Sequence, residues 1–467
     1  MKKYSRSLAL LLALLLCFSV ASCRGSDIPE ETTEAPPVDS TAETTEPETA
    51  STTAPETTEP YIEDTTKEPE VSTTPPPETD EVTAPPPETD PPVAEDTVRI
   101  IMQNGRGEAI LSGLIEEKYK PLLKEREDAL LRDHALALEL SKTDDLEAKI
   151  ENLTLSGEYR YDLILTDPMT GTRMLSAGLL EDLTGAGIEI EKAPGIRESI
   201  TESLKFGEGI YLFSTDALTS DITSTFALKY SGAKLSSDPV AKALAGDLTA
   251  ELLLTYIKES SFSLGEASAL TLYRGLGGEI FAKNTEGIPT SALSDASSFV
   301  RIYGATLDLI SASTDEGAVF TLDKLSALKS GEVYLPIPKA NANLAYSSPL
   351  DHETVSVFAV PVGVISGTRL NGLVVSLNSV SGAYRESVRS EITRNGAKEA
   401  VGLLKIIEDS SRLDLGILFG WGDIDELIED GLEKSTKTDT LLSDRMTEMR
   451  NKAVDAAAKI VAERLGK

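Results

Sequence analysis

Two apolar runs of the sequence end in polar side chains of the kinds that hold small ligands. The run VRIIMQ is followed by Asn104, and the run YDLILT ends at Thr166, with Asp167 and Thr170 after it. Amide, hydroxyl and carboxylate groups bind the polar groups of small molecules by hydrogen bonding. We predict a ligand site at these four side chains. The dipeptide Asp167-Pro168 is equally typical of a turn that begins a helix, and both interpretations stay open.

The sequence offers few residues for catalysis. His134 and His352 are its only histidines; the first opens an alternating run and the second lies in the polar segment PLDHETV. A lone histidine in either setting is usually structural or solvated. Two carboxylates suffice for a glycosidase, but no pair stands out among so many Asp and Glu residues. The segment NGRGE lacks the third glycine of a dinucleotide-binding fingerprint. We therefore expect a binding protein that is not an enzyme and uses no cofactor.

The order of the predicted elements indicates an α/β fold. VRIIMQNG, HALALEL and YDLILT have the composition of strands, and the segments EAILSGLIEEKYKPLLKEREDALL, DLEAKIENLTL and RMLSAGLLEDL have helical spacing. Strands that alternate with helices form a parallel sheet covered on both faces. Ligands bind such sheets beyond the carboxyl ends of the strands, which is where the four polar side chains follow.

The length after Thr97 indicates two lobes. About 370 residues follow it, which exceeds what one hydrophobic core usually organises. The extended segments EGIYLFSTD and ETVSVFAVPVG are predicted to cross between the lobes as hinge strands. The C-terminal segment DRMTEMRNKAVDAAAKIVAERL is predicted to be a helix packed on one lobe. We expect a first lobe at about 97–213 and 354–402, and a second lobe at about 214–353 and 403–467.

The N-terminus is typical of a secretory signal. Lys2 and Lys3 precede an apolar stretch that is too short to span a bilayer, and small residues follow it. The tetrapeptide ending at Cys23 resembles the bacterial lipobox, in which the thiol receives diacylglycerol and palmitate. The resemblance implies a signal peptide at 1–22 and a lipid anchor on Cys23, which holds the protein on the outer face of the cell membrane. The alternative is an ordinary signal peptide with a chance cysteine.

Residues 23–96 are predicted to be a disordered linker. They are rich in Thr, Pro, Glu, Ser and Ala, with the short repeat PPPETDEVTAPPPETD, and have too little apolar surface to fold. From Asp27 to Asp96 about twenty acidic residues are present against Lys67 alone, so most of the net charge of −33 lies in this segment. The rest of the chain is only moderately acidic, which argues against binding nucleic acid. A stalk is favoured, and an acidic adhesive tail is the alternative.

Several segments together resemble the family 1 extracellular solute-binding proteins of bacteria, the lipoprotein receptors of ABC importers. The resemblance covers most of the chain from Thr97 to Lys467, in the order of the family. It rests on the segments YDLILTDPMTGTRMLSAGLLEDL, GEGIYLFSTDALTSDITSTFALKYSG, YRGLGGEIFAKNTEGIP, GEVYLPIPKANANLAYSS and IIEDSSRLDLGILFGWG. It implies a two-lobed periplasmic-binding-protein-like fold of type II. It also implies a monomeric receptor that closes on a carbohydrate and docks on ABC permease subunits.

The resemblance also directs attention to the second lobe. Its candidate ligand contacts are Tyr273, Arg274, Tyr346 and Trp421, and Asp216 is a candidate at the crossover. Each of the four is also typical of core or surface packing, and Asp216 is equally typical of a helix cap.

The sequence departs from the family's pattern in several respects, two of which concern the ligands that it could bind. Aromatic residues make up only 5% of the sequence, with Trp421 the sole tryptophan, although sugars are bound largely through aromatic faces. An acidic Asp-x-Asn/Asp-Gly loop is missing, so no calcium site is expected. The alternative function is a diverged surface protein that acts as a sensor, adhesion or partner-binding module without import.

Overall fold

The computed structural model describes residues 96–106, 117–285, 288–314, 317–363, 367–378, 381–435, 451–456 and 458–459. The predicted signal peptide, Cys23 and nearly all of the predicted linker lie outside the described residues. Within these ranges, no helix combines the length and the apolar character that crossing a membrane requires.

The strands of the described residues are short and distributed along the whole chain. They are β1 (Asp96–Gln103), β2 (Leu136–Thr143), β3 (Leu163–Thr166), β4 (Leu212–Phe213), β5 (Phe226–Tyr230), β6 (Phe262–Ser263), β7 (Phe281–Lys283), β8 (Pro289–Ser291), β9 (Phe320–Lys324), β10 (Val333–Leu335), β11 (Ser348–Pro349), β12 (Val357–Ala359) and β13 (Ser411–Arg412).

Helices separate most of these strands. They are α1 (Lys120–His134), α2 (Leu146–Ser156), α3 (Pro168–Ser176), α4 (Glu198–Leu204), α5 (Ser220–Thr223), α6 (Pro239–Leu244), α7 (Ala250–Ile257), α8 (Ala269–Gly275), α9 (Ala296–Ser311), α10 (Gly367–Asn378), α11 (Ser381–Thr393), α12 (Ala400–Asp409), α13 (Leu415–Leu418) and α14 (Ile424–Ser435). Residues 451–456 are helical as well.

The first sheet has the strand order β2-β1-β3-β12-β4. Strand β1 is parallel to β2 and β3, and β12 is antiparallel to β3 and β4. Ile100 and Ile101 belong to different apolar clusters, as do Phe358 and Ala359, because successive strand residues point to opposite faces. Both faces of this sheet are therefore covered, and the predicted alternation of parallel strands and helices is confirmed.

Local signals in the sequence explain where the first helices begin and end. The carboxylate of Asp145 accepts a hydrogen bond from the backbone N–H of Ala148 at 3.0 Å and caps α2. That helix ends at Gly157, whose φ of 69° is a left-handed conformation that favours glycine. Pro168 is the first residue of α3, where its missing N–H would have had no helical partner.

The second sheet has the strand order β10-β5-β9-β6. Strand β5 is antiparallel to β9 and β10, and β6 is parallel to β9. The core beside it is aromatic: the ring of Phe320 stacks on Tyr230 and Tyr256 with centroid distances of 5.0 and 6.0 Å. The two sheets are built from different parts of the chain, and the two-lobed α/β fold predicted from the sequence is confirmed.

The segments predicted as hinge strands supply β4 and β12 of the first sheet. These strands pair with each other, with Phe358 opposite Phe213. Beyond them the chain continues to the second sheet, and an isolated antiparallel bridge joins Thr225 to Leu350. The lobe boundaries stay a prediction, with two differences. Tyr384 and Val388 of α11 lie in the same apolar cluster as Phe320, although the first lobe was expected to extend to 402. Leu415 and Trp421 lie in the same apolar cluster as Ile101 of the first sheet, although 403–467 was expected in the second lobe.

A network of buried charges lies where the chain crosses between the sheets. The guanidinium of Arg385 donates to both carboxylate oxygens of Asp221 at 2.8 and 2.9 Å, and to Glu408 at 3.2 Å. Arg389 donates to Glu408 at 2.8 and 2.7 Å, and Arg197 donates to Asp221 at 3.2 Å. The network connects α5, α11 and α12 through Asp221, Arg385 and Glu408, which are almost fully buried, while Arg389 is one third exposed.

These ion pairs outweigh the effect of burial on the pKa values of Asp221 and Arg385. Burial alone would raise the pKa of the Asp221 carboxyl, but Arg385 and Arg197 hold that pKa below its ordinary value. Burial alone would lower the pKa of Arg385, but Asp221 and Glu408 raise it. Both groups are therefore charged at neutral pH, and each depends on the other for compensation.

Candidate functional site

A cleft of about 480 Å³ is lined by residues of both predicted lobes. We call it the interlobe cleft. Helix α4 contributes Ser199, Glu202 and Ser203 from the first lobe. The second lobe contributes Arg274, Gly278, Glu279, Phe281, Ala282, Lys283, Tyr346, the segment 409–415 and Trp421. The volume lies within the range of about 300–1,000 Å³ that is usual for sites binding small molecules.

The hydroxyl of Ser347 forms hydrogen bonds with two arginines of this cleft, Arg412 and Arg274. Strand β11 pairs with β13, with Pro349 opposite Arg412, and Ser347 directly precedes β11. The guanidinium of Arg412 donates to the hydroxyl oxygen of Ser347 at 2.8 Å and to the Glu279 carboxylate at 2.7 Å. The Ser347 hydroxyl in turn donates to the backbone oxygen of Arg274 at 2.9 Å. Side chains with planar polar groups thus line one wall of the cleft.

Lys283 of β7 reaches across to the first lobe. Its ammonium group donates a hydrogen bond to the backbone oxygen of Glu202 in α4. Burial lowers the pKa of Lys283 to about 8; the Glu202 carboxylate opposes this shift, and Lys205 adds to it. The side chain is therefore a direct contact between the two walls of the interlobe cleft.

Aromatic side chains close one end of the interlobe cleft. Trp421 stacks on Phe419 with a centroid distance of 4.8 Å and meets Phe281 edge to face at 5.0 Å. Phe206, from the first lobe, lies 6.2 Å from the Trp421 ring. Trp421 also lines a second cavity of about 920 Å³, whose other lining residues include Tyr211, Lys452, Asp455 and Lys459.

Three of the predicted ligand contacts, Arg274, Tyr346 and Trp421, lie together in the interlobe cleft. The Tyr346 hydroxyl donates to the backbone oxygen of Ala243 at 3.2 Å and accepts from the backbone N–H of Leu248 at 3.1 Å, so its position is fixed. Trp421 is only 9% exposed, so little of its ring is free for contact with a ligand.

Tyr273 lies in the core of the second lobe. It is 1% exposed and meets the ring of Phe299 edge to face at 6.2 Å. Asp216 lies beside the buried charge network, with its carboxylate 3.4 Å from Arg385 and one third exposed. Neither residue lines the interlobe cleft, and their roles as ligand contacts stay predictions.

The four polar side chains of the first lobe follow β1 and β3, as the sequence indicates. The Asp167 carboxylate caps α3: it accepts from the backbone N–H of Thr170 and from its hydroxyl, both at 2.8 Å. The structure thus shows the helix-cap interpretation of Asp167. Among the described residues the buried hydroxyl of Thr166 has no hydrogen-bond partner, and the Asn104 amide donates to Asp144. None of the four belongs to the lining of the interlobe cleft.

Sequence reasoning missed Arg106, Glu279, Lys283 and Arg412. Arg106 follows β1, donates to the backbone oxygen of Val355 at 3.2 Å and lies 4.0 Å from the Asp167 carboxylate. Arg412 and Glu279 lie in segments that carried the family resemblance, but their pairing joins positions more than a hundred residues apart. Among the described residues, no group of three His, Cys, Asp or Glu side chains is placed to hold a metal ion.

No protein-family model and no curated protein sequence matches this chain. Solved structures do match it. A cyclo/maltodextrin-binding protein complexed with maltotetraose is 11% identical, covers 79% of this chain and 98% of its own, and has a TM-score of 0.50. An extracellular solute-binding protein of family 1 from Alicyclobacillus acidocaldarius is 12% identical, with 78% and 99% covered and a TM-score of 0.47.

A third match is the galacto-N-biose/lacto-N-biose I-binding protein of an ABC transporter from Bifidobacterium longum, in complex with lacto-N-biose. It is 16% identical, with 79% of this chain and 98% of that chain covered and a TM-score of 0.46. At such identities a match is informative about the fold alone. The chain therefore has the two-lobed α/β fold of the cyclo/maltodextrin-binding protein, which is the fold that the resemblance to the family 1 extracellular solute-binding proteins implies.

Proposed function

We propose that the protein is a membrane-anchored extracellular receptor of an ABC importer, and that it binds a carbohydrate between its lobes. The observation that carries the proposal is the interlobe cleft, to which α4 contributes one wall and β7, β13 and Trp421 contribute the other. The fold supports it as well, since a matching structure of the same fold was solved with maltotetraose bound. No chemical change of the ligand is part of the proposal.

The polar groups of the cleft suit a hydroxylated ligand. Guanidinium and carboxylate groups, such as those of Arg412 and Glu279, are planar and donate or accept two hydrogen bonds in fixed directions. Sugar hydroxyls offer both kinds of partner. Trp421 and Phe281 pack against each other, so their rings offer less surface for stacking on a sugar than the aromatic residues of many sugar sites do. Hydrogen bonds therefore contribute more to the specificity.

Binding couples to closure because the contacts come from both lobes. A ligand that touches Ser199 or Glu202 on α4 and Arg412 on β13 makes both sets of contacts only when the lobes are close together. Such a ligand shifts the population toward the closed form by its difference in affinity for the two forms. The closed form is then the one that docks on the permease subunits.

A thermal-shift titration tests the receptor function. The full chain carrying Cys23→Ala, which removes the proposed lipid, is titrated with a panel of monosaccharides and oligosaccharides. A ligand at 100 times its dissociation constant stabilises the folded state by about 2.7 kcal/mol, so the midpoint should keep rising with ligand concentration. Failure of every sugar to raise the midpoint would reject the receptor and favour the alternative, a surface sensor, adhesion or partner-binding module without import.

The proposed anchor gives a separate prediction. Cys23→Ala should move the protein from the membrane fraction to the soluble fraction, because several acyl chains contribute about 0.8 kcal/mol per buried methylene. Detergent phase partitioning and intact mass check this. Cys17→Ala is the matched control and should stay with the membrane. Membrane association that survives Cys23→Ala would contradict the lipid anchor.

A further inference from the structure

The guanidinium of Arg274 is a buried cation that has no direct partner among the residues that the structure describes. Arg274 is 7% exposed and lines the interlobe cleft. Its backbone oxygen is bonded to Ser347, but among the described residues no group accepts a hydrogen bond from its guanidinium and no carboxylate lies within 4.0 Å of it. By contrast, the buried guanidinium of Arg385 is in direct contact with the carboxylates of Asp221 and Glu408. Within the described part of the chain, Arg274 is therefore a buried charge with no carboxylate in direct contact, and Asp414 acts on it only from a longer distance.

An uncompensated buried charge is costly. Burial lowers the pKa of Arg274, Asp414 opposes that shift from beyond salt-bridge distance, and Arg412 adds to it. An arginine side chain nevertheless stays protonated in proteins. A state in which an anion reaches the guanidinium recovers much of the desolvation cost, because the two charges attract strongly where water is excluded.

A second guanidinium lies close to the first. Arg412 is held by Ser347 and Glu279, as described above, and it influences the ionisation of Arg274 through space. Its side chain is 32% exposed, so it has free surface toward the cleft. Lys283 lies on the same cleft. Three cationic side chains thus surround one space.

We propose that the interlobe cleft binds a ligand bearing one carboxylate on a hydroxylated body, such as a uronic acid, and that Arg274 and Arg412 bind the carboxylate. Planar guanidinium groups match a carboxylate with paired hydrogen bonds. This inference rests on the proposed receptor function and names the class of its ligand.

The carboxylates of the same cleft disfavour a ligand with more than one negative charge. Glu202, Glu279, Asp409 and Asp414 also line it. They repel a dianionic phosphate more strongly than a single carboxylate, while they accept hydrogen bonds from hydroxyls. The four carboxylates outnumber the three cations of the lining, so an anion is favoured only locally, at Arg274 and Arg412, and there a single carboxylate with hydroxyl groups around it fits better than a dianion.

The test compares acidic sugars with their neutral counterparts. The full chain carrying Cys23→Ala is titrated with glucuronate, galacturonate, glucose, galactose and inorganic phosphate, by thermal shift and calorimetry at low and high sodium chloride. We expect a uronate to bind, with weaker binding at high salt. Arg274→Gln should weaken uronate binding by about 10-fold or more. Arg412→Gln is the second variant, because its partly exposed position tolerates substitution if Arg274→Gln does not fold. Arg160→Gln, exposed and outside the cleft lining, is the matched control.

Each result decides between the two proposals. Uronate binding that falls in Arg274→Gln or Arg412→Gln but not in Arg160→Gln supports the carboxylate site. Binding of glucose or galactose without either uronate leaves the receptor function standing and overturns the carboxylate site. Uronate binding that neither cleft variant changes, or binding of phosphate alone, also overturns it. If neither these probes nor the wider sugar panel binds, both proposals fail.

Discussion

Replacing Asp221 with alanine is expected to destabilise the protein by about 3–5 kcal/mol. Asp221 is 2% exposed and accepts two hydrogen bonds from Arg385, which is itself 1% exposed. The substitution leaves the Arg385 charge buried with Glu408 as its main remaining partner, 3.2 Å away. The free energy of unfolding, measured by urea denaturation with circular dichroism, checks this expectation.

An exposed ion pair provides the control. Glu139→Ala removes the partner of Arg99, where both side chains are about half exposed, and the loss should stay below about 1 kcal/mol. The network also predicts acid sensitivity. Since the folded protein holds the pKa of Asp221 below its ordinary value, the stability that this group contributes is present above about pH 4 and is lost as the pH falls further. Equal losses in Asp221→Ala and Glu139→Ala would contradict the central role assigned to the buried network.

Replacing Phe320 with alanine is expected to cost a similar amount, about 3–5 kcal/mol. Phe320 is completely buried, and its ring stacks on Tyr230 and Tyr256 in the core of the second lobe. Removing the ring forfeits the transfer free energy of its carbon atoms and leaves a cavity, because close-packed neighbours relax only in part. Urea denaturation measures the loss.

The matched control for Phe320→Ala is Val300→Ala on the exposed side of α9. Val300 is 48% exposed, and its substitution should change the free energy of unfolding by about 0.5 kcal/mol or less. A loss below about 1 kcal/mol in Phe320→Ala would show that the second lobe does not depend on this aromatic stack.

The parallel part of the first sheet was predictable because its signals are local. Strands β1 and β3 are short apolar runs, the composition of buried parallel strands, and β2 is an alternating run at the edge of the sheet; a helix follows each of the three. The antiparallel strands β4 and β12 were foreseen only as crossing segments, since pairing between Phe213 and Phe358 joins distant parts of the chain.

The candidate site was predictable in part. Arg274, Tyr346 and Trp421 lie in the interlobe cleft, but Tyr273, beside Arg274 in the sequence, lies in the core because neighbouring helical residues point in different directions. Arg412 could not be found from the sequence, because its place in the cleft depends on the pairing of Pro349 with Arg412 between β11 and β13. Such long-range register has no local signal.

The central claim is that a ligand between the lobes draws them together. The most direct measurement is the distance between spin labels on the two lobes, at Leu155→Cys in α2 and Leu244→Cys in α6, which are 79% and 45% exposed. The background carries Cys17→Ala and Cys23→Ala, and the ligand is the sugar or uronate with the largest thermal shift. We expect a saturating ligand to shift the distribution of distances between the two labels to a new, narrower peak. A distribution that stays unchanged at saturation would contradict it.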